Sequence, residues 1–155
     1  MAKQKERDQI VTLYKPASRM KIYYDKRAAK NQAPLSLIVR EVENRKSIFA
    51  VMLLPKGTYN FNSVSEYVIE AGNKKIVLPK ASSGLLKRHK TTPYGRQEWV
   101  EKELSPDEYR LMESMIDDKD LHIRMKARTE ETRLNLDDVE KRAAQNIWHF
   151  YQSEG

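Results

Sequence analysis

One stretch of the chain, residues 47–54, is apolar on both faces of the strand that it would form. Its sequence, Ser-Ile-Phe-Ala-Val-Met-Leu-Leu, follows an alternating strand over residues 35–42 and a polar turn over residues 43–46. A strand that is apolar on both faces has to be covered on both sides. We therefore predict an antiparallel hairpin whose second strand, residues 47–54, lies at the centre of a β-sheet.

Three further pairs of β-forming segments are each separated by a turn of Gly, Pro or polar residues, which is typical of hairpins. The pairs are residues 64–70 with 75–78, residues 85–91 with 97–104, and residues 121–128 with 133–136. Residues 10–24 also consist largely of β-formers, in two pieces around a break at 15–18. The sequence thus predicts a sheet built mainly from local antiparallel pairs.

Two helices are predicted late in the chain. Ser105-Pro106-Asp107-Glu108 combines an N-cap residue, a proline suited to the first helical position and the glutamate of a capping box, so a helix is expected over about 105–117. A second amphipathic pattern predicts a helix over about 137–151. The expected inward residues of the two helices are Met112, Met115, Ile147 and Phe150.

Hairpins followed by segregated helices indicate an α+β domain, an antiparallel β-sheet built from hairpins with both helices packed on one face. The alternative architecture is a closed barrel that the last helix plugs. Of the 155 residues, 39% are hydrophobic, which suffices for one core. We predict a single domain over residues 10–152, preceded by a flexible polar arm over residues 1–9.

The composition excludes several kinds of chemistry. The absence of cysteine rules out disulfides, thiolate zinc sites and cysteine nucleophiles. No glycine-rich phosphate loop or Gly-x-Ser-x-Gly motif occurs, and His89, His122 and His149 lie on separate predicted elements. We therefore expect neither an enzyme nor a cofactor or metal site. The apolar runs are far shorter than the roughly 20 residues that span a bilayer, so no transmembrane segment is expected.

The net charge of +7 is distributed unevenly. Residues 72–97 carry seven basic residues and no acidic one, whereas residues 98–155 carry nine basic and 15 acidic residues. A domain with this asymmetry is expected to have a basic side and an acidic side, and the basic side could attract an anionic partner.

The densest basic cluster lies in residues 87–96, which we call the basic hairpin. Its candidate binding residues are Lys87, Arg88, His89, Lys90, Tyr94 and Arg96. Basic residues beside an aromatic side chain can hold a phosphate backbone while the ring stacks on a base, and they can also meet an anionic membrane. Alternatively, lysine and arginine on an edge hairpin only prevent edge-to-edge aggregation.

A second basic row is predicted on the outward face of residues 122–128. Its candidate binding residues are Arg124, Lys126 and Arg128. Successive side chains on one face of a strand lie roughly 7 Å apart, close to the spacing of phosphates along a nucleic-acid strand. The simpler alternative is a solvated face whose cations pair with a neighbouring strand and with Glu130 and Glu131.

A strand over 97–104 that leads into the helix start at Leu104-Ser105-Pro106-Asp107-Glu108, an Arg-bearing hairpin over 121–136 and a closing helix form a recurring arrangement. It resembles small α+β domains of bacterial exported proteins and lipoproteins of unassigned function. The resemblance covers roughly a third of the chain and carries no catalytic residues. It implies an extracytoplasmic domain whose export signal was trimmed upstream of Met1, whereas the sequence as written suggests the cytoplasm.

These observations lead to two expectations for function. The first is a non-enzymatic binding or scaffold domain, which would be the mature part of an exported protein if the resemblance holds. The alternative is a nucleic-acid-binding module that uses the basic hairpin and the basic row over 122–128. The expected partner is an anionic macromolecule or another protein.

Overall fold

Ten strands form two antiparallel sheets in the part of the chain that the structure describes. The computed structural model of the protein describes residues 2–55, 59–60, 62–93 and 95–154. Six strands form a curled sheet A, in the order β1 (Ile10–Lys15), β2 (Met20–Asp25), β3 (Leu35–Val42), β4 (Arg45–Leu53), β8 (Gly95–Glu103) and β7 (Leu85–Thr92). Four form sheet B, in the order β10 (Glu131–Asn135), β9 (His122–Ala127), β5 (Val64–Ala71) and β6 (Lys74–Pro79).

The helices of the described residues cover these sheets. They are α1 (Ala2–Arg7), α2 (Lys26–Asn31), α3 (Pro106–Met115) and α4 (Asp138–Glu154). The last helix packs on β2 and β3 of sheet A and on α2, whereas α3 packs on β6 of sheet B. The predicted α+β class, with antiparallel hairpins and two long helices, is confirmed. Because the strands divide between two sheets, each of the two long helices contacts a different sheet.

The central hairpin is confirmed with a tighter turn than expected. Glu43 and Asn44 have φ angles of 52° and 64°, the left-handed conformation that a two-residue type I′ turn requires at both positions. Arg45 and Lys46, expected in the turn, instead pair with the end of β3. As predicted, β4 lies in the middle of its sheet, between β3 and β8.

Both sheets and both long helices share one hydrophobic core. Met112, Met115 and Ile147 are fully buried in it, as predicted. Phe150 is partly buried and its ring centroid lies 4.9 Å from that of Tyr23 on β2, so it also packs on a sheet. The two sheets and the two helices therefore form one compact unit.

The predicted capping box of α3 is present. The Ser105 hydroxyl accepts a hydrogen bond from the Glu108 backbone N–H at 3.2 Å, and the Glu108 carboxylate accepts one from the Ser105 N–H at 2.9 Å. Two backbone donors at the start of the helix are thereby satisfied. These contacts fix where β8 ends and α3 begins.

The segment predicted as an arm, residues 1–9, contains α1 and contacts the domain. Arg27 on α2 donates to Glu6 and to the buried Asp25, both at 2.8 Å, and the Asn146 amide donates to Asp25 at 2.9 Å. Burial by itself raises the pKa of Asp25, but the hydrogen bonds from Arg27 and Asn146 outweigh it and hold that pKa below its ordinary value. This network joins α1, α2 and α4.

Candidate functional site

The basic hairpin forms one edge of sheet A. The edge strand β7 pairs with β8 so that Arg88 lies opposite Trp99 and Lys90 lies opposite Gln97. Residues opposite each other in an antiparallel pair point to the same face of the sheet. Arg88, Lys90, Trp99 and Gln97 therefore share the outer face of sheet A, the face opposite α4.

The remaining basic residues of the hairpin lie on the other face. Lys87 is paired in register with the buried Val100, and His89 with Glu98. Arg96 donates to Glu98, with its Nε 2.7 Å from the carboxylate oxygen. The predicted cluster is thus divided between two faces by the alternation of the strand. The other candidate at this site, Tyr94, lies outside the described residues.

A groove runs along the outer face of sheet A beside the hairpin. Its volume is about 380 Å³. Apolar side chains and the small residues of the α2 region make up most of its lining, namely Tyr24, Ile38, Val51, Leu53, Trp99, Ala28, Ala29 and Ala33. The large residues among these are half-buried, which leaves an apolar floor open to solvent next to the basic side chains.

A buried carboxylate, Glu101, organises the end of this groove. The Trp99 indole Nε1 donates to its Oε1 at 3.0 Å, and Arg40 forms an ion pair with its other oxygen. The Arg40 guanidinium in turn lies 4.2 Å above the ring centroid of Phe49, a cation–π contact. The Nε of Arg88 is 3.7 Å from the same carboxylate. Glu101 thereby fixes the plane of the indole while its own charge is balanced by arginine.

The outer face combines two features that favour binding of an anion with a flat apolar part. Arg88 and Lys90 are exposed and lie two residues apart on one strand, a separation of roughly 7 Å. Trp99, directly opposite Arg88, offers a half-buried aromatic ring held in one orientation. Chemically, this surface can pair with two successive anionic groups and stack a planar ring beside them.

The second predicted basic row lies in sheet B, and neighbouring carboxylates pair with its strand residues. Arg124 pairs with Glu70 on β5 and donates to Glu131 on β10 at 2.7 Å. Lys126 lies 3.2 Å from Glu66 on β5, and Arg128 is exposed beyond the end of β9. The arrangement matches the simpler alternative of cross-strand ion pairs.

His122, expected on the outward face of the same strand, is buried instead. Its side chain is 2% exposed, with Nε2 2.9 Å from the Glu70 carboxylate and Nδ1 2.5 Å from the Asp120 carbonyl oxygen. His122 does share a face with Arg124, since both contact Glu70, but its burial was not predicted because it depends on the pairing of β5 with β9. This histidine takes part in packing between the strands.

Sequence reasoning missed the groove and the role of Glu101. The register of the hairpin, counted outward from the turn that the sequence predicts between residues 91 and 97, is a signal that could have placed Arg88 opposite Trp99. Nothing local could have placed Arg40 beside Glu101, because β3 and β8 meet only through the intervening β4.

Within the described ranges, no three His, Asp or Glu side chains come together as a metal site would need. The helices described there include none long and apolar enough to cross a membrane. Comparisons with protein-family models, curated proteins and solved structures found no match. Any proposal of function therefore depends on the residues of this chain.

Proposed function

We propose that the protein is a non-enzymatic binding domain that holds a nucleic acid on the outer face of its basic hairpin. The observation that carries the proposal is the placement of exposed Arg88 and Lys90 on one face of an edge strand. The acidic residue beside them, Glu101, is 7% exposed and already accepts contacts from Arg40 and Trp99. Arg88 also lies 3.7 Å from this carboxylate, but its side chain is 48% exposed, so Arg88 and the exposed Lys90 can both be reached by a partner.

Nucleic acid fits this face better than other anions for a geometric reason. Two cations roughly 7 Å apart match successive phosphates of one strand. A phosphate backbone also draws long-range attraction from the basic segment 72–97, which carries no acidic residue. An anionic membrane would be attracted by the same charge, but it would not need a groove beside an oriented aromatic ring.

Binding can be tested by titrating fluorescently labelled single- and double-stranded oligonucleotides across a salt series. The test variant is Arg88→Glu with Lys90→Glu. The matched control, Lys119→Glu with Arg142→Glu, makes the same change in net charge at exposed residues outside sheet A. Each lost phosphate contact should reduce the slope of log affinity against log salt by about 0.7 for a single strand and about 0.9 for a duplex, so the test variant should lose about 1.4 or about 1.8.

The outcomes separate this proposal from the edge-protection alternative. No binding even at low salt would refute the proposal and leave the basic residues as protection against aggregation. An equal loss in test and control variants would also refute it, because the attraction would then depend on net charge alone. Binding to anionic vesicles but not to oligonucleotides would refute the proposal and support the alternative that the hairpin binds an anionic membrane.

The resemblance to exported domains stays a prediction about where this binding takes place. The genomic sequence upstream of Met1 tests it directly, since an export signal there would place the domain outside the cytoplasm. The proposed surface is the same in either compartment.

A further inference from the structure

We infer that the nucleic acid is single-stranded and that one of its bases stacks on Trp99 while adjacent phosphates contact Arg88 and Lys90. This inference rests on the function proposed above and adds a ligand class and a stacking residue to it. It follows from the juxtaposition of an oriented aromatic ring, an open apolar groove and two exposed cations on one sheet face.

The two tryptophans of the chain occupy contrasting environments. Trp148 is 1% exposed and stacks on Tyr109 with ring centroids 4.5 Å apart, so it belongs to the core. Trp99 is half-buried at the groove, where its cross-strand neighbours are Leu53 on one side and Arg88 on the other. Packing in the core accounts for the position of Trp148, whereas Trp99 leaves part of its side chain available to a ligand.

The Trp99 ring is held before any ligand arrives. The hydrogen bond from its Nε1 to Glu101 sets the direction of the indole, and Arg40 holds Glu101 in turn. A ring fixed in advance loses little rotational freedom when a base stacks on it. Base–aromatic stacking of this kind is a common element of single-strand recognition because every base has a π-face.

The groove provides room for the base and selects against a duplex. Its volume of about 380 Å³ lies within the range of pockets that take small molecules, roughly 300–1,000 Å³. Its floor includes Ile38, Val51 and Leu53, which suit the flat apolar surface of a base. In a duplex the faces of the bases are stacked on one another, so only an unpaired strand can offer one to Trp99.

Intrinsic fluorescence of the full chain tests the stacking directly. The probes are oligo(dT) of about 12 nucleotides, an abasic strand of the same length and charge, and a duplex of the same length. Oligo(dT) should quench the Trp99 emission and the abasic strand should not, while the buried Trp148 supplies a constant background. In Trp99→Phe the quenching should disappear, because only Trp148 still emits.

The affinity measurement supplies a second and independent readout. Loss of one stacked base should weaken oligo(dT) binding in Trp99→Ala by about 5- to 150-fold while abasic binding stays unchanged. Trp99→Phe, which keeps an aromatic ring, should retain most of the affinity. Circular dichroism identifies a variant that has lost its fold, and the wild-type comparison of oligo(dT) with the abasic strand needs no variant.

The outcomes distinguish this inference from the proposed function. If the abasic strand binds as tightly as oligo(dT), and both depend on Arg88 and Lys90, the inference is overturned and the proposed function stands. Tighter binding of the duplex than of the single strand would likewise overturn the inference and leave the proposed function in place. If none of the three probes binds, both fail.

Discussion

Replacing Glu101 by glutamine removes the charge that organises the groove while keeping the size of the side chain. The amide oxygen can still accept the hydrogen bond from Trp99, so the main loss is the ion pair with Arg40. The Arg40 guanidinium then remains over Phe49 without its anionic partner. Arg88 also loses a nearby carboxylate, but its side chain is 48% exposed and water replaces that contact.

The size of the effect follows from the burial of the pair. The side chains of Arg40 and Glu101 are 16% and 9% exposed, so the arginine would be left largely buried and uncompensated. Breaking a buried pair by removing one partner costs about 3–5 kcal/mol. Because the glutamine still bonds to Trp99 and Arg40 retains some solvent, we expect the lower end, about 3 kcal/mol. For a chain of this size that corresponds to a melting temperature lower by about 6–12 °C.

Urea unfolding followed by far-ultraviolet circular dichroism gives the free energy of unfolding without depending on the emission of Trp99, which contacts Glu101. The matched control is Glu66→Gln, which removes a surface ion pair with Lys126 and should cost less than about 1 kcal/mol. Combining Glu101→Gln with Arg40→Met should recover a large part of the loss, because no buried charge is then left unpaired. A cost for Glu101→Gln no larger than that of Glu66→Gln would refute the reasoning.

Three further predictions concern the fold. Ser105→Ala should lower the free energy of unfolding by about 1 kcal/mol in urea titrations, whereas Ser105→Asp should retain the cap; equal losses would contradict the capping box. Met112→Ala should cost about 2–5 kcal/mol, and Met112→Leu less than about 1.5 kcal/mol, because only the former leaves a cavity in the core. Since the folded pKa of Asp25 is lowered, its stabilising effect is present above the unfolded pKa of about 3.9 and is lost as the pH falls through the folded value. Asp25→Asn should therefore destabilise the protein at pH 7 by an amount that shrinks in unfolding titrations below about pH 4; a constant difference would contradict the shift.

The local features of the fold could be predicted from the sequence because their signals lie within a few residues. The capping box at Ser105 and the polar turn between β3 and β4 are examples. The division of strands between two sheets could not, because pairing of β5 with β9 joins segments that are far apart in the chain. That pairing brings Glu70 to His122 and Arg124, and it forms the cross-strand ion pairs that the simpler alternative described.

The candidate site shows the same dependence on distance along the chain. The basic residues of the hairpin could be found from composition, and the strand period already implied that Arg88 and Lys90 share a face without Lys87 and His89. The Arg40–Glu101 pair could not be found, because its two residues lie on β3 and β8, which β4 separates in the sheet. The orientation of Trp99 depends on that pair.

The location of the charges limits how steeply the affinity for nucleic acid can depend on salt. If all seven basic residues of 72–97 contacted phosphates, the slope of log affinity against log salt would be about −5 for a single strand. The hairpin instead divides its cations between two faces, and Glu98 pairs with Arg96 on the face away from Trp99. Two cations on the proposed face predict a slope of about −1.4, measured by oligo(dT) binding over a salt series. A slope near −5 would mean that the opposite face or another basic segment binds as well, which would contradict a site confined to the outer face of sheet A.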